Sequence, residues 1–321
     1  MATLRAVGRK VLYLIPVLFA VTVLSFLLLQ LLPGNPAIDI LGTSATPPAV
    51  KQLDHKLGLD RPLPDQYLHY LDRAVLHADL GFSYQNHQTT LSALHQRLPV
   101  TLELIILSQL IAFAIAVPAA LMAATRPNGL FDRLTTSLSF GFLAVPDFIL
   151  GVLLVFLFAV HYQLFPATGY TALTANPVEN LKSMLLPALT LALGSQAVYL
   201  RLLRADLITT LQQDFIAMAK AKGLPARYIL LRHAFRPSSF SLVTVSGLEV
   251  GRLIGGTFIV EYLFALPGVG SLAVQSVYTR DYLVVQGTVL VIAVGYVLVN
   301  FVVDLLYTVL DPRIRHAAAI T

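Results

Sequence analysis

The chain has no cysteine and no tryptophan among its 321 residues, and only 12% of it is Asp, Glu, Lys or Arg. Without cysteine it can form no disulfide, no thiolate metal site and no thiol nucleophile. That absence leaves the compartment open. The shortage of charge excludes more. Soluble domains carry about 25% charged and about 45–50% apolar residues, whereas 56% of this chain is apolar and its mean hydropathy is +0.74. A water-soluble enzyme of this length lacks the polar surface it would need, so the apolar residues face lipid. The net charge of +5 is spread between apolar runs. It forms no single patch, which removes nucleic acid as a partner. No Gly-x-x-x-x-Gly-Lys-Ser/Thr, His-Glu-x-x-His, Gly-x-Ser-x-Gly or Cys-x-x-Cys occurs, so the chain carries neither a phosphate-cradling loop nor a recognisable hydrolytic set.

What the chain does contain is six apolar runs: residues 11–32, 99–124, 135–160, 183–203, 240–260 and 283–309. Each reaches the roughly 20 residues that a helix needs to cross the hydrocarbon core. None alternates as a membrane β-strand would. The predicted fold is all-α, a polytopic membrane protein with six transmembrane helices and both termini cytoplasmic. The first run follows Arg5, Arg9 and Lys10 and precedes the helix stop Pro33-Gly34-Asn35-Pro36. It exceeds the apolar core of about 7–15 residues of a cleaved signal and reads as an uncleaved first span.

Orientation follows from Lys and Arg. With the N-terminus inside, the inner segments carry Arg126, Arg133, Arg201, Arg204, Lys220, Lys222, Arg227, Arg232, Arg236, Arg313 and Arg315 besides the N-terminal cluster. The short outer loops carry Lys182 and Arg280 alone. The organisation expected is a cytoplasmic N-terminus over 1–10 and a first helix over 11–32. An extracytoplasmic segment over 33–98 and a five-helix core over 99–310 follow, then a cytoplasmic tail over 311–321. Short helices are expected in the outer segment, for example the amphipathic stretch 65–76.

The inner segment 204–237 is the most informative. Leu207, Leu211, Phe215 and Met218 recur at helical spacing and predict one apolar stripe. Lys220 and Lys222 suit the negative end of a helix, Gly223 suits the left-handed residue beyond it, and Pro225 suits the first turn of a second helix. The expected product is a helix–turn–helix pair whose stripe is covered by its own span ends, by a partner or by lipid headgroups.

The run Asp214-Phe215-Ile216-Ala217-Met218-Ala219-Lys220-Ala221-Lys222-Gly223-Leu224, followed by Leu230-Leu231-Arg232-His233-Ala234, resembles the cytoplasmic loop of ABC-importer permeases of the dipeptide/oligopeptide/nickel family. Leu32-Pro33-Gly34-Asn35-Pro36, Leu57-Gly58-Leu59-Asp60-Arg61-Pro62-Leu63 and Asp79-Leu80-Gly81 are similar to that family's outer segment. Pro267-Gly268-Val269-Gly270, Arg280-Asp281, Val303-Asp304-Leu305-Leu306-Tyr307 and Asp311-Pro312-Arg313-Ile314-Arg315 extend the likeness to the end of the chain. It departs where Ala217 replaces the glutamate that opens the broader loop motif, and where His233-Ala234-Phe235-Arg236 replaces the late Ile-x-Leu-Pro element.

The resemblance implies a bacterial plasma-membrane permease without catalytic chemistry, half of a channel for di- or oligopeptides. Nickel or a nickel–chelator complex is the alternative cargo. It implies a second homologous permease, making a heterodimer, two cytoplasmic ATPase subunits and an extracytoplasmic substrate-binding protein. No cofactor is expected on this chain; ATP and Mg belong to the partner subunits. Asp214, Phe215, Met218, Ala219, Lys220, Lys222 and Gly223 would form the helix that couples to the ATPase. A self-sufficient secondary transporter is the remaining rival, and it would leave this loop idle.

Glu249 and Arg252 lie near the middle of the fifth run, three residues apart and therefore able to pair. Gly247, Gly251 and Gly255 repeat every four residues roughly opposite, the pattern of close helix packing. The charged pair either borders a translocation path or is a structural ion pair. Asp147, after Pro146 in the third run, has the same two readings, and Asp304 is expected to pair with inner arginines. Glu103, near the outer end of the second run, can reach water. His55, His69, His77, His87 and His95 fall in the outer segment without the close spacing of a local metal pair.

Overall fold

Apolar runs in lipid must satisfy every backbone polar group within the segment, and helices do this. The computed structural model describes residues 2–31, 35–83 and 85–310, and these are almost all helical. In chain order the helices begin with α1 (Ala2–Leu31), α2 (Pro36–Leu41), α3 (Pro47–Leu57) and α4 (Leu63–Leu71). A two-residue pair of strands follows, β1 (Phe82–Ser83) and β2 (Gln88–Thr89), antiparallel with Phe82 opposite Thr89. Then come α5 (Thr90–Thr125), α6 (Leu130–Ala144), α7 (Asp147–Leu154), α8 (Pro177–Leu211), α9 (Asp214–Ala221) and α10 (Ala226–Tyr228). The chain closes with α11 (Phe235–Gly256), α12 (Phe258–Leu263), α13 (Val269–Tyr278) and α14 (Tyr282–Leu310). The Pro33-Gly34 stop, the 311–321 tail and the Asp304 side chain lie outside the described residues.

Among the described residues three helices are long and apolar enough to cross a bilayer: Thr90–Thr125, Pro177–Leu211 and Tyr282–Val303. The third apolar run differs from the single helix expected of it. Leu130–Ala144 and Asp147–His161 meet at 106°. Pro146 explains the break, because the residue before a proline is driven out of the helical region, and Val145 is extended at φ −98°, ψ 127°. The fifth run also differs. Its helix starts earlier, passing from α10 through a π-helical stretch, Ile229–Ala234, directly into α11.

The chain divides into two compact units, Met1–Thr101 with Pro267–Leu298 and Leu102–Leu266 with Val299–Thr321.

In the first unit, Phe26 on α1 packs edge-on against Tyr67 of α4, and Thr22 Oγ1 lies 2.9 Å from the Tyr67 hydroxyl. Ala93 and Leu94 of α5 pack with Val269 and Leu272 of α13 and Val284 of α14. Ser83 donates to Asp281 Oδ2 at 2.5 Å, which ties the strand pair to the start of α14.

In the second unit α8 is central: 78% of its most apolar window is buried, against 39% for α5 and for α14. Its neighbours include α6, α7, α11 and α12. Ala112, Ala116, Ala120 and Ala124 repeat every four residues along α5, and all are buried in the cluster that holds Ala192, Tyr199, Leu203 and Leu207 of α8. Small side chains at that spacing let two helix backbones approach closely in lipid. At one end of this unit Arg204 of α8 grips Asp132 of α6 through both nitrogens of its fork, with Nη2 2.6 Å from Oδ2.

Candidate coupling and translocation site

The 204–237 segment does not make one continuous striped helix. Leu207 and Leu211 belong to α8, which ends at Leu211 with Gln212 as its cap, whereas Phe215 and Met218 belong to α9 after the extended residue Gln213. The intervening turn rotates the second pair away from the first. Ile216 and Ala219 are the buried residues of α9, at 0% and 7% exposure, and they join Leu203, Leu207, Ile229 and Ala234 in the core of their unit. Phe215 and Met218 instead face outward, at 44% and 56% exposure. Ala219, expected on the docking surface, is therefore part of the seat. Lys220 and Lys222 are exposed.

The short helix is held as a stiff unit. Asp214 stands in its first turn and Lys220 in its last, the signs favoured by the helix dipole. Gly223 adopts φ +74°, and Leu224 N–H reaches back to Ala219 O at 3.3 Å. A Cβ at Gly223 would meet nothing within 4 Å, so glycine is required for backbone conformation alone. The legs on either side are tied by Thr210 Oγ1 and Ser238 Oγ, 3.0 Å apart.

The second constellation joins residues from two helices. Arg252 donates from Nε to Glu249 Oε2 at 2.9 Å across one turn of α11. Its Nη1 lies 3.8 Å from Asp147 Oδ2 on α7. The break at Pro146 sets Asp147 in the first turn of α7, and Gly194 of α8 leaves room for it: a Cβ there would sit 3.1 Å from Asp147 Oδ1. The three side chains are 48% (Arg252), 14% (Glu249) and 31% (Asp147) exposed. The triad is open on one side, and its charges sum to minus one.

The glycines opposite behave unequally. A Cβ at Gly247 would collide with Val303 of α14, and Gly251 is buried. A Cβ at Gly255 would meet nothing within 4 Å among the described residues.

Pairings that sequence reading missed complete the unit. Tyr199 donates to Gln109 within the core, and its ring stacks on Phe113 at 5.0 Å between centroids. Glu103 accepts from the Tyr170 hydroxyl at 2.8 Å; burial first, and this carboxylate second, push the phenol up to about 12. The partners of these bonds lie 90 and 67 residues apart in the chain, which no local pattern reports. Among the described residues no three His, Cys, Asp or Glu side chains cluster as a metal site would require. His55 and His77 are engaged by Asp60 and Asp72.

The described residues thus form an all-α membrane chain with a seated helical protrusion and a charged triad. The chain belongs to the family described as binding-protein-dependent transport system inner membrane component, whose model matches residues 116–316. The N-terminal model of the same systems matches residues 3–105. A putative peptide transport system permease protein of Brucella abortus (strain 2308) is 40% identical over 312 residues, covering 96% of this chain and 98% of its own length. The glutathione transport system permease protein of Escherichia coli O6:H1 is 36% identical over 313 residues, covering 98% and 99%. The dipeptide transport system permease protein of Escherichia coli K12 is 34% identical over 337 residues, covering 98% and 99%. The protein is thus an integral inner-membrane permease of a binding-protein-dependent ABC importer, and ATP hydrolysis lies in separate subunits.

Proposed function

We propose that the chain forms half of the channel through which short peptides are imported. A second, homologous permease supplies the other half. Two ATPase subunits carry ATP and Mg on the cytoplasmic side, and an extracytoplasmic binding protein delivers the cargo. The path is built from six crossings with both termini inside, the bent pair α6–α7 counting as one. The names of the three relatives described above favour a peptide over nickel.

The observation that carries this reading is the seat of α9. A helix fixed by Ile216 and Ala219, with Phe215 and Met218 turned outward, is shaped to take a push from a partner. ATP-driven closure can be transmitted as rigid-body motion through such a helix into α8 and α11. The triad of Asp147, Glu249 and Arg252 then borders the path, because a half-exposed guanidinium in an apolar helix costs too much to place against lipid. Alternating access needs no covalent step here; the chain exchanges inward-open and outward-open states.

Co-purification and uptake test this together. Capture of the chain should bring down two ATPase subunits and a second permease. Vesicles holding the assembled system should import labelled dipeptide, but not nickel, when supplied with binding protein and ATP. Transport by the chain alone, driven by an ion gradient, would reject the reading in favour of a secondary transporter.

A further inference from the structure

The rod that carries Glu249 and Arg252 contains one irregular turn, and it lies where α9 is seated. From Ala226 to Gly256 the chain is continuously helical, α10 running into α11 through the π-helical residues Ile229–Ala234. The hydrogen bonding there reaches one residue further than in an α-helix: Phe235 N–H donates to Leu230 O, five residues back instead of four. The two other π-helical stretches among the described residues, Asp72–Leu76 and Val155–His161, close their helices at His77 and Tyr162. A wide turn at a helix end is a loose stop. One inside a helix holds an extra residue and is frequent at functional sites. Pro237 accounts for its place. It stands third in α11, offers no N–H to the His233 carbonyl and crowds it, and the wider turn just before it gives that carbonyl room.

Two pairs of side chains depend on the extra residue. Ile229 and Ala234 are the buried residues of the turn, and both pack in the cluster that holds Ile216 and Ala219 of α9. Tyr228 and His233 meet edge to face, their ring centroids 5.4 Å apart at 66°. The members of each pair are five residues apart in the chain. In an α-helix, at 3.6 residues per turn, such residues lie about 140° apart and do not share a face. Bonding five residues back brings them together. The seat of α9 is therefore fitted to the wide form of the turn. Just beyond it, Ser238 is clasped to Thr210 of α8 at 3.0 Å. About four helical turns further along, α11 carries Glu249 and Arg252. Arg252 reaches Asp147 of α7 at 3.8 Å, a long contact that a small rotation of α11 would break.

We propose that the turn 229–234 is a take-up joint in the coupling path. Pressure on α9 from the ATPases moves Ile216 and Ala219 off the face made by Ile229 and Ala234, and the wide turn tightens. Beyond it α11 rotates by a fraction of the roughly 100° that one residue represents, and Arg252 leaves Asp147. A uniform rod would carry the push along its axis only; the joint turns part of it into twist. Pro237 is the positioning residue that keeps the joint wide at rest. The inference rests on the coupling reading of α9 given above. Its rival is a wide turn that only makes room for Pro237 and stays unchanged during transport.

The chain has no native cysteine, so the joint can be bridged in the full importer complex in vesicles. Tyr228→Cys with His233→Cys should be joined readily by a short bis-methanethiosulfonate linker without nucleotide, and several-fold more slowly after trapping with ATP and vanadate. The bridged complex should keep its ATPase subunits but lose ATP-driven dipeptide uptake, and dithiothreitol should restore it. The same bridge between Ala205→Cys and Thr209→Cys, exposed residues one regular turn apart on α8, should leave uptake unchanged. Equal bridging of 228 and 233 in both nucleotide states, normal uptake by that bridged complex, or equal loss on bridging 205 and 209 overturns the joint. Two variants need no linker. Deleting Leu231, which is exposed, removes the extra residue and leaves Ile229 and Ala234 four apart, on one face of an α-helix; the complex should assemble and fail to import. Pro237→Ala restores an amide donor at an exposed position and should lower uptake several-fold with the ATPases still bound. Normal uptake by either variant also overturns the joint. Wild-type import beside any of these failures rejects the joint alone, whereas a wild-type chain that captures no ATPase and imports nothing with ATP rejects the importer reading.

Discussion

Asp281 illustrates how much one buried carboxylate depends on its neighbours. It is 8% exposed and bonded to Ser83. Burial pushes its carboxyl above the ordinary range, partly offset by the Ser83 hydroxyl and the Val284 amide. A raised folded value means that the folded unit binds the proton more readily than the unfolded chain. The stability linked to Asp281 is therefore full below the unfolded value near 3.8 and is lost as pH rises through the folded value. Asp281→Asn removes this titration and keeps an oxygen for Ser83. Its melting temperature in nanodiscs should exceed that of the wild type at pH 7.5 by about 2–4 °C, and the difference should vanish near pH 4. An equal difference at both values would rule out the carboxylate as the cause. The Arg252 triad has the same dependence on context. Glu249 and Arg252 could be paired from their spacing, but Asp147 could not be joined to them, because it lies 105 residues from Arg252 and reaches it only after α7 breaks from α6.

At the scale of the element, α9 separates its two faces cleanly. Phe215→Asp alters an exposed residue and should leave folding within about 0.5 kcal/mol of the wild type. It should nevertheless abolish recovery of the ATPase subunits on capture. Ile216→Asp places a charge in a fully buried seat and should cost several kcal/mol, roughly 3–5, so that the chain itself fails to accumulate. The opposite ranking would put the docking face on the wrong side of the helix. Gly223→Val strains a left-handed residue by about 1–2 kcal/mol, and its Cβ would meet nothing within 4 Å among the described residues. It should uncouple ATP hydrolysis from uptake in the assembled system. A Gly223→Val complex that assembles and transports at the normal rate would remove Gly223 from the coupling device. The C-terminal end of α9 was legible in sequence, since dipole-suited lysines followed by glycine mark a local stop. The turn at 212–213 was not: Gln212 and Gln213 carry no breaker signal, so the spacing of Leu207, Leu211, Phe215 and Met218 read as one stripe.

For the whole molecule the bent pair α6–α7 sets the topology. If it is one crossing, Pro127 and Leu164, on either side of it, lie on opposite faces of the membrane. The absence of native cysteine makes the test direct. Pro127→Cys should react with an impermeant maleimide only from the cytoplasm, and Leu164→Cys only from outside. Reaction of both from one face would make the pair a re-entrant loop and leave the termini on opposite sides. Lys222→Cys on the coupling turn and Val75→Cys in the 33–98 segment serve as the inner and outer references.

Composition and periodicity alone determined that the chain is helical and lives in lipid, because hydrocarbon solvation acts on every residue of a run at once and needs no knowledge of its neighbours. The motifs around Gly223 likewise sufficed for the family, since capping and turn chemistry are local. Tertiary structure decided which faces are buried. It turned Ile216 inward and Phe215 outward, brought Asp147 to Arg252, and paired Tyr170 with Glu103. Each of these depends on a break, a bend or a partner far along the chain, and the free energy of such contacts exists only once the helices have packed.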